Sequence, residues 1–294
     1  MSSPRILVTG ANGFIGKNFL KRLEDPQREL YALNREYPQE PQSLSVKKFY
    51  AQDITQPFSL KESFDFVFHL AALNITHVGK AAYSDYERVN VLGTKNVIEA
   101  VKTKNFVYLS TAKVYDDKLD SADEFSRIDP QSDYERSKWE AEKICQQHFR
   151  GENLTIIRSV SIAGAGQAEK ALIPVLFKNA YNHLPLVIFA PRRSKLQILD
   201  VDDVAAAFLL LIEKGGVSGI FNLAPKEDVE IDQLAAEVVR LSESKSPIQF
   251  TNDASAHFCQ IIAQKAEKTL GWKANISPRE ILKRYHQKMQ KSPP

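Results

Sequence analysis

A chain of 294 residues, 43% of them hydrophobic, buries a large core, which excludes intrinsic disorder. Its 39 basic and 36 acidic residues nearly cancel, leaving +3, so neither nucleic acid nor an anionic membrane is expected as the main partner, although a small anionic ligand needs only local charge. The two cysteines, Cys145 and Cys259, stand far apart and the six histidines are scattered with no i,i+4 pair, so neither a disulfide framework nor a metal site is expected.

Met1-Ser2-Ser3-Pro4 leads straight into an aliphatic, β-branched run at 6–8, so no signal peptide is expected. No apolar run reaches membrane-spanning length, and the pattern suits the cytoplasm. The first run stops at Thr9-Gly10 and a helical apolar period follows (Phe14, Ile15, Phe19, Leu20, Leu23), which reads as strand, glycine turn and helix. Gly10, Gly13 and Gly16 permit a tight turn and a close backbone approach to a ligand, and the first helical N–H groups favour a pyrophosphate. The spacing is G-x-x-G-x-x-G rather than the usual G-x-G-x-x-G, and three glycines by themselves also fit a plain turn.

Further strands are expected at 30–33, 46–51, 66–70, 106–109 and 154–157, with a proline-studded loop at 37–42 and helices at 83–102 and 133–149, the latter capped by Asp133. This alternation implies right-handed βαβ crossovers and an α/β, doubly wound parallel sheet. Beyond Arg158 the rhythm loosens: helices are expected at 172–182, 204–213, 231–241 and 261–270, short strands at 186–189, 196–199 and 220–223, and a last helix opened by Ser277 and Pro278. Residues 1–160 would form the dinucleotide-binding part, with 196–223 returning to it, and 161–294 a smaller mixed α/β part for the substrate. Lys283, Arg284, Lys288 and Lys291 near the end fit a solvated helix face or, alternatively, a binding patch.

In an open parallel sheet, ligands sit outside the carboxyl ends of the strands. Those ends carry the glycine loop, Ser110-Thr111 and Ser159-Val160-Ser161, while the helix before the last of them carries Tyr134 and Lys138, four apart and so on one face. A neighbouring ammonium favours the phenolate and lowers the phenol pKa, which makes Tyr134 a workable acid or base. With ten tyrosines and 39 basic residues such a pair arises about once by accident, and it gains weight only together with the glycine loop and Thr111.

Thr9-Gly-Ala-Asn-Gly-Phe-Ile-Gly16, His69-Leu-Ala-Ala72, Asn90-Val-Leu-Gly-Thr94, Ser110-Thr-Ala-Lys-Val-Tyr115, Tyr134-x-x-Ser-Lys138, Asp202-Asp-Val-Ala205 and Leu270-Gly-Trp272 resemble the extended short-chain dehydrogenase/reductases, the NAD(P)-dependent nucleotide-sugar epimerase/dehydratase family with its Rossmann fold. The resemblance implies Tyr134 as general acid/base, Lys138 on the nicotinamide ribose and tuning Tyr134, and Thr111 on the reacting oxygen. It implies that Gly10, Asn12, Gly13, Phe14, Ile15 and Gly16 bind the pyrophosphate, Asp53 and Ile54 the adenine, and Leu70, Ala71 and Ala72 the neighbourhood of the ribose. Ser161 takes a place that faces both cofactor and substrate, Asn90 is either a structural helper or an ordinary buried polar residue, and a homodimer through the 83–102 and 133–149 helices is expected unless their apolar faces pack on the sheet.

After the second strand come Asn34, Arg35 and Glu36: Arg35 suits a 2′-phosphate and Asn34 offers no carboxylate to repel it, which favours NADP(H), whereas Glu36 leaves NAD(H) open. The family's dehydratases carry an acidic pair after the Thr and its decarboxylases a Glu, where this chain has Ala112-Lys113, which turns the expectation from dehydration to reduction of a 4-keto nucleotide-linked (deoxy)sugar or to 4-epimerisation. Other readings are a reductase for a different carbonyl compound and a non-catalytic cofactor-binding scaffold or sensor. Departures from the family pattern include Asp116 for Gly, Ser161 for Asn and Ala165 for Pro, and the usual arginine before Asp202-Asp203 is out of register. Arg192, Arg193 and Lys195 are the nearest basic residues, suited to a substrate diphosphate or simply to solvent.

Overall fold

The structure is a computed structural model that describes residues 3–37, 46–74, 81–250 and 257–291. The loop expected at 37–42 lies, beyond Tyr37, outside the described residues, as does His77. The first half alternates strand and helix: β1 (Arg5–Thr9), α1 (Phe14–Leu23), β2 (Glu29–Asn34), β3 (Val46–Ala51), β4 (Ser63–His69), α2 (Tyr83–Tyr86), a π-helical turn (Glu87–Leu92), α3 (Gly93–Ala100) and β5 (Lys102–Thr111). A 3₁₀ turn (Ala112–Val114), β6 (Ser121–Ala122), α4 (Asp133–Phe149) and β7 (Leu154–Ser159) follow. The rest comprises β8 (Ser161–Ala163), α5 (Leu172–Tyr181), β9 (Leu186–Ile188), β10 (Lys195–Leu196), β11 (Ile198–Asp200), α6 (Val201–Glu213), β12 (Gly219–Leu223), β13 (Val229–Glu230), α7 (Ile231–Leu241), β14 (Ile248–Phe250), β15 (Gln260–Ile261), α8 (Gln264–Leu270) and α9 (Pro278–Lys291).

Seven strands form one sheet in the order β3-β2-β1-β4-β5-β7-β12, every neighbouring pair parallel. The chain order reverses between β1 and β4, and the crevice at their carboxyl ends is where such a sheet binds ligands. Both faces are covered, so the central strands are continuous apolar runs. On one face α1 and α6 pack through Phe19, Phe68 and Phe208, whose rings meet at 4.7 and 5.0 Å centroid distance. On the other, Val97 and Ile98 of α3 and Ala141 and Cys145 of α4 cover Val67, Phe106 and Ile156, so these apolar residues are spent on the sheet. The later helices α5, α7 and α9 enclose a separate apolar cluster with β9 and β11.

The Asp202-Asp-Val-Ala205 and Leu270-Gly-Trp272 segments meet in one joint. The Trp272 indole N–H donates to the Asp203 carbonyl at 2.8 Å, and the Asp203 carboxylate accepts from the backbone N–H groups of Asn275 and Ile276 at 3.2 and 3.0 Å. Asp202 beside it pairs with Arg22 of α1 and Arg284 of α9, which ties the two ends of the chain to α6 and gives Arg284 an ion-pairing role.

The structure departs from the expectations at several boundaries. The helix expected at 83–102 is interrupted: the Thr94 hydroxyl donates to the Asn90 carbonyl at 2.6 Å, and the Gly93 N–H reaches back five residues to the Arg88 carbonyl, a π turn. That helix ends at Ala100 because Val101 is extended and Lys102 already pairs with Ser63 in the sheet. Helix α4 is capped by Ser132 rather than Asp133: the Ser132 side chain accepts from the Glu135 N–H, and Glu135 returns the bond, a capping box. The helix expected at 261–270 begins only at Gln264, since Gln260 and Ile261 pair with β6.

Candidate active site

The carboxyl ends of the sheet open into a cleft of about 1600 Å³. Its floor is the glycine loop. Gly10 has φ +67°, and a Cβ there would lie 2.7 Å from the Ala71 nitrogen, while a Cβ on Gly16 would lie 2.3 Å from the Gly10 carbonyl oxygen. Loop, helix and the chain after β4 therefore interlock at distances that only glycine permits. Helix α1 starts from Gly13 with no side-chain cap and no acidic residue in its first turn, so its leading N–H groups remain available to an anion. Lys17 and Lys21, not singled out from the sequence, line the same end; their i,i+4 spacing directly after Gly16 was the available signal.

Every cofactor residue expected from the sequence lines this cleft: Gly10, Asn12, Gly13, Phe14, Ile15 and Gly16 in the loop, Asn34 and Arg35 after β2, Asp53 and Ile54 after β3, Leu70, Ala71 and Ala72 after β4, with Lys138 and Ser161 opposite. The Arg35 guanidinium lies 3.5 Å from the Glu36 carboxylate, both side chains being largely exposed, and Asn12 donates to the Glu36 carbonyl at 3.1 Å. The segment after β4 is fixed from beneath. Ala71 N–H donates to the Thr9 hydroxyl oxygen at 3.2 Å, and His69 bridges Thr9 and Thr94 at 2.7 and 3.0 Å. Burial pushes His69 down to about 3, so it is a neutral strut. Asn90 is buried and clasps Leu73, accepting from its N–H at 2.7 Å and donating to its carbonyl at 3.1 Å, with a second donation to Ser137 at 2.9 Å.

Thr111, Tyr134 and Lys138 all line the cleft that the glycine loop lines. Thr111 ends β5, its hydroxyl accepting from the Lys113 N–H at 3.3 Å. Tyr134 sits in the first turn of α4, edge-on to Tyr86. Lys138, one turn later and buried, donates from Nζ to the Leu109 carbonyl at 2.6 Å and lies 4.2 Å above the Tyr108 ring. Burial, then Glu135, pushes the Tyr134 phenol upward, and the Lys138 ammonium is engaged by the Leu109 carbonyl. Burial drives Lys138 itself down to about 7.

Behind these residues lies a buried ion pair. Arg158 of β7 meets Glu142 of α4 through Nε at 3.1 and 3.2 Å and Nη2 at 2.7 Å, and Ser110 donates to the same carboxylate. The three elements carrying Thr111, Lys138 and Ser159 are thereby fastened to one carboxylate.

Arg192, Arg193 and Lys195 are not brought to the cleft, whose wall at that point is Leu196 and Ile198. Successive side chains of a strand point to opposite faces, so with Leu196 inward Lys195 faces outward, where it pairs with Asp228 at 3.3 Å. Arg192 lies over the Phe250 ring. Residues not singled out for the site, Arg88, Lys113 and Gln167, do line it. Among the described residues no cluster of side chains suits a metal ion, and no helix is long and apolar enough to cross a membrane.

A parallel sheet with this crevice and an uncapped helix start behind a glycine turn is the frame of a dinucleotide-binding α/β protein. The chain belongs to the NAD dependent epimerase/dehydratase family, whose model matches residues 6–224. Among its relatives, human dTDP-D-glucose 4,6-dehydratase is 26% identical over 309 aligned positions, covering 95% of this chain and 88% of that protein. An Arabidopsis thaliana trifunctional UDP-glucose 4,6-dehydratase/UDP-4-keto-6-deoxy-D-glucose 3,5-epimerase/UDP-4-keto-L-rhamnose-reductase is also 26% identical, over 95% of this chain and 46% of its own length. In fold, the chain matches UDP-glucuronic acid 4-epimerase from Bacillus cereus in complex with NAD, with a TM-score of 0.86, 22% identity and coverage of 98% and 99%. MoeE5 in complex with UDP-glucose and NAD gives a TM-score of 0.85 at 22% identity and the same coverage.

Proposed function

We propose that the protein is an NADP(H)-dependent oxidoreductase that reduces the 4-keto group of a nucleotide-linked deoxysugar. One observation carries this reading: Thr111, Tyr134 and Lys138 share a cleft with the glycine loop, while among the described lining residues the only carboxylates, Glu36 and Asp53, stand at the adenine end. Dehydration requires a base for a C–H bond beside the ketone and an acid for the departing hydroxyl. The two positions after Thr111, Ala112 and Lys113, supply no carboxyl group, so the activity named for the dehydratase relatives is not carried over to this chain.

The residues fit a dinucleotide: its pyrophosphate on the free N–H groups of α1, its adenine beside Asp53 and Ile54, and its ribose against Leu70 to Ala72, with Lys138 exchanging the Leu109 carbonyl for a ribose hydroxyl. When bound, the nicotinamide supplies or accepts a hydride. Thr111 donates to the carbonyl oxygen of the substrate and orients it. Tyr134, held protonated by burial, hands its proton to that oxygen as charge develops there, the direction a reductase needs. Arg35 would take a cofactor 2′-phosphate by leaving Glu36. A second reading, an NAD-dependent 4-epimerase, draws on the same pair, since the Glu36 carboxylate is available to a ribose 2′-hydroxyl.

The test is incubation with UDP- and dTDP-4-keto-6-deoxy sugars and either reduced cofactor. Net oxidation of NADPH with appearance of the 4-hydroxy sugar supports reduction. Interconversion of UDP-glucose and UDP-galactose without net cofactor turnover refutes it in favour of epimerisation.

A further inference from the structure

We propose that Lys113 is a further catalytic residue of this site, its ammonium directed at the same substrate oxygen that Thr111 and Tyr134 hold. The inference rests on the reductase reading above and names a group that reading does not use. Lys113 is the middle residue of the 3₁₀ turn that follows β5; its neighbours Ala112 and Val114 are buried, so the turn is anchored on both sides while Lys113 alone projects. Its backbone N–H is bonded to the Thr111 hydroxyl at 3.3 Å, which fixes the root of its side chain beside the hydroxyl that addresses the substrate. Lys113 is an exposed residue of the cleft lining.

Its charge is not spent elsewhere. Of the cations lining the cleft, Arg88 is paired with Asp85 and Arg35 with Glu36, each at 3.5 Å, whereas among the described residues no carboxylate pairs with Lys113, nor with Lys17 and Lys21 at the glycine-loop end. An unpaired cation at this point suits a reaction in which oxygen gains negative charge. As the carbonyl carbon accepts a hydride from the reduced nicotinamide cofactor, the C=O π pair moves onto oxygen, and the phenol proton of Tyr134 completes the alcohol while the cofactor leaves oxidised. Lys113 exchanges no atom; it lowers the energy of the charged oxygen before the proton arrives. Losing one such donor at a closed oxyanion site costs about 10²–10³-fold, and Lys113 is open to water, so about 10- to 100-fold is expected.

Two measurements on the full chain decide. Lysine acylation read by mass spectrometry is compared in NADP⁺ alone and in NADP⁺ plus UDP-glucose or dTDP-glucose, with the exposed Lys118 as control; added protection of Lys113 by the sugar nucleotide with Lys118 unchanged is expected, and equal labelling of Lys113 in both states overturns the proposal. Steady-state kinetics on 4-keto-6-deoxy sugars then compare Lys113→Met with Lys113→Arg. The expected result is a fall in kcat of about 10- to 100-fold for Met, with KM little changed and most of the rate kept by Arg. An unchanged kcat, or a rise confined to KM, overturns the proposal while leaving the reductase reading intact. Should the wild type reduce none of the ketones, the reductase reading falls, and the acylation footprint alone decides for or against a substrate contact by Lys113.

Discussion

Replacing Glu142 by Gln should damage the protein more than any change on the surface of α4. Glu142 is fully buried and Arg158 only 2% exposed, and the two share three contacts between 2.7 and 3.2 Å. Neutralising the acid leaves the guanidinium in the interior beside the rings of Tyr115 and Trp139, at 4.9 and 5.6 Å, without its carboxylate. Breaking a buried pair from one side costs about 3–5 kcal/mol, because the surviving charge is desolvated without compensation. At roughly 2–4 °C per kcal/mol for a chain of this size, the melting temperature should fall by about 6–20 °C. Urea unfolding of Glu142→Gln, Arg158→Met and the Glu142→Met/Arg158→Met double variant measures the effect, and the double variant should be more stable than Glu142→Gln because no charge is stranded. A loss below about 1 kcal/mol for Glu142→Gln, or a double variant worse than it, refutes the reasoning that this pair holds β5, β7 and α4 together.

Three further outcomes are expected. Gly16→Ala drives a Cβ to 2.3 Å from the Gly10 carbonyl, so the loop must open, and calorimetry should find NADP⁺ binding weakened by at least about tenfold while far-UV circular dichroism is retained. Lys138 is driven down to about 7 by burial while an unfolded lysine titrates near about 10.4, so below about 7 both states hold the proton and the burial penalty is fully present. Between those values the unfolded chain binds more protons, stability rises with pH, and Lys138→Met should abolish that rise in denaturation series. Arg35→Ala should lower the ratio of NADPH to NADH use by about tenfold or more, and an unchanged ratio removes the argument for NADP(H).

Much of the sheet was legible because its strands are buried on both faces and bounded by glycine and polar breaks, as at Thr9-Gly10 and Ser110-Thr111. The glycine loop was readable for a related reason: its spacing encodes contacts that a Cβ forbids. What stayed hidden depends on tertiary partners. Neither the π turn, set by the bond from Thr94 to the Asn90 carbonyl, nor the capture of Lys138 by the Leu109 carbonyl leaves a periodic trace. The diphosphate residues proposed at Arg192, Arg193 and Lys195 illustrate the same limit, since proximity in sequence says nothing about which face of a two-residue strand a side chain takes. Lys113 was visible in the sequence chiefly as the absence of an acid; only its place on the cleft gives it a positive role.

The most direct check on the central claim, that Thr111, Tyr134 and Lys138 form a redox site at the mouth of the glycine turn, is isotope transfer. NADPH deuterated at the nicotinamide C4 position, on each face in turn, is incubated with a UDP- or dTDP-4-keto-6-deoxy sugar and the product is examined by NMR. The account expects one face to deliver deuterium to sugar carbon 4 in step with NADP⁺ formation, and the transfer to vanish in Tyr134→Phe with cofactor binding intact. A product formed without label at that carbon, or full transfer by Tyr134→Phe, would contradict it.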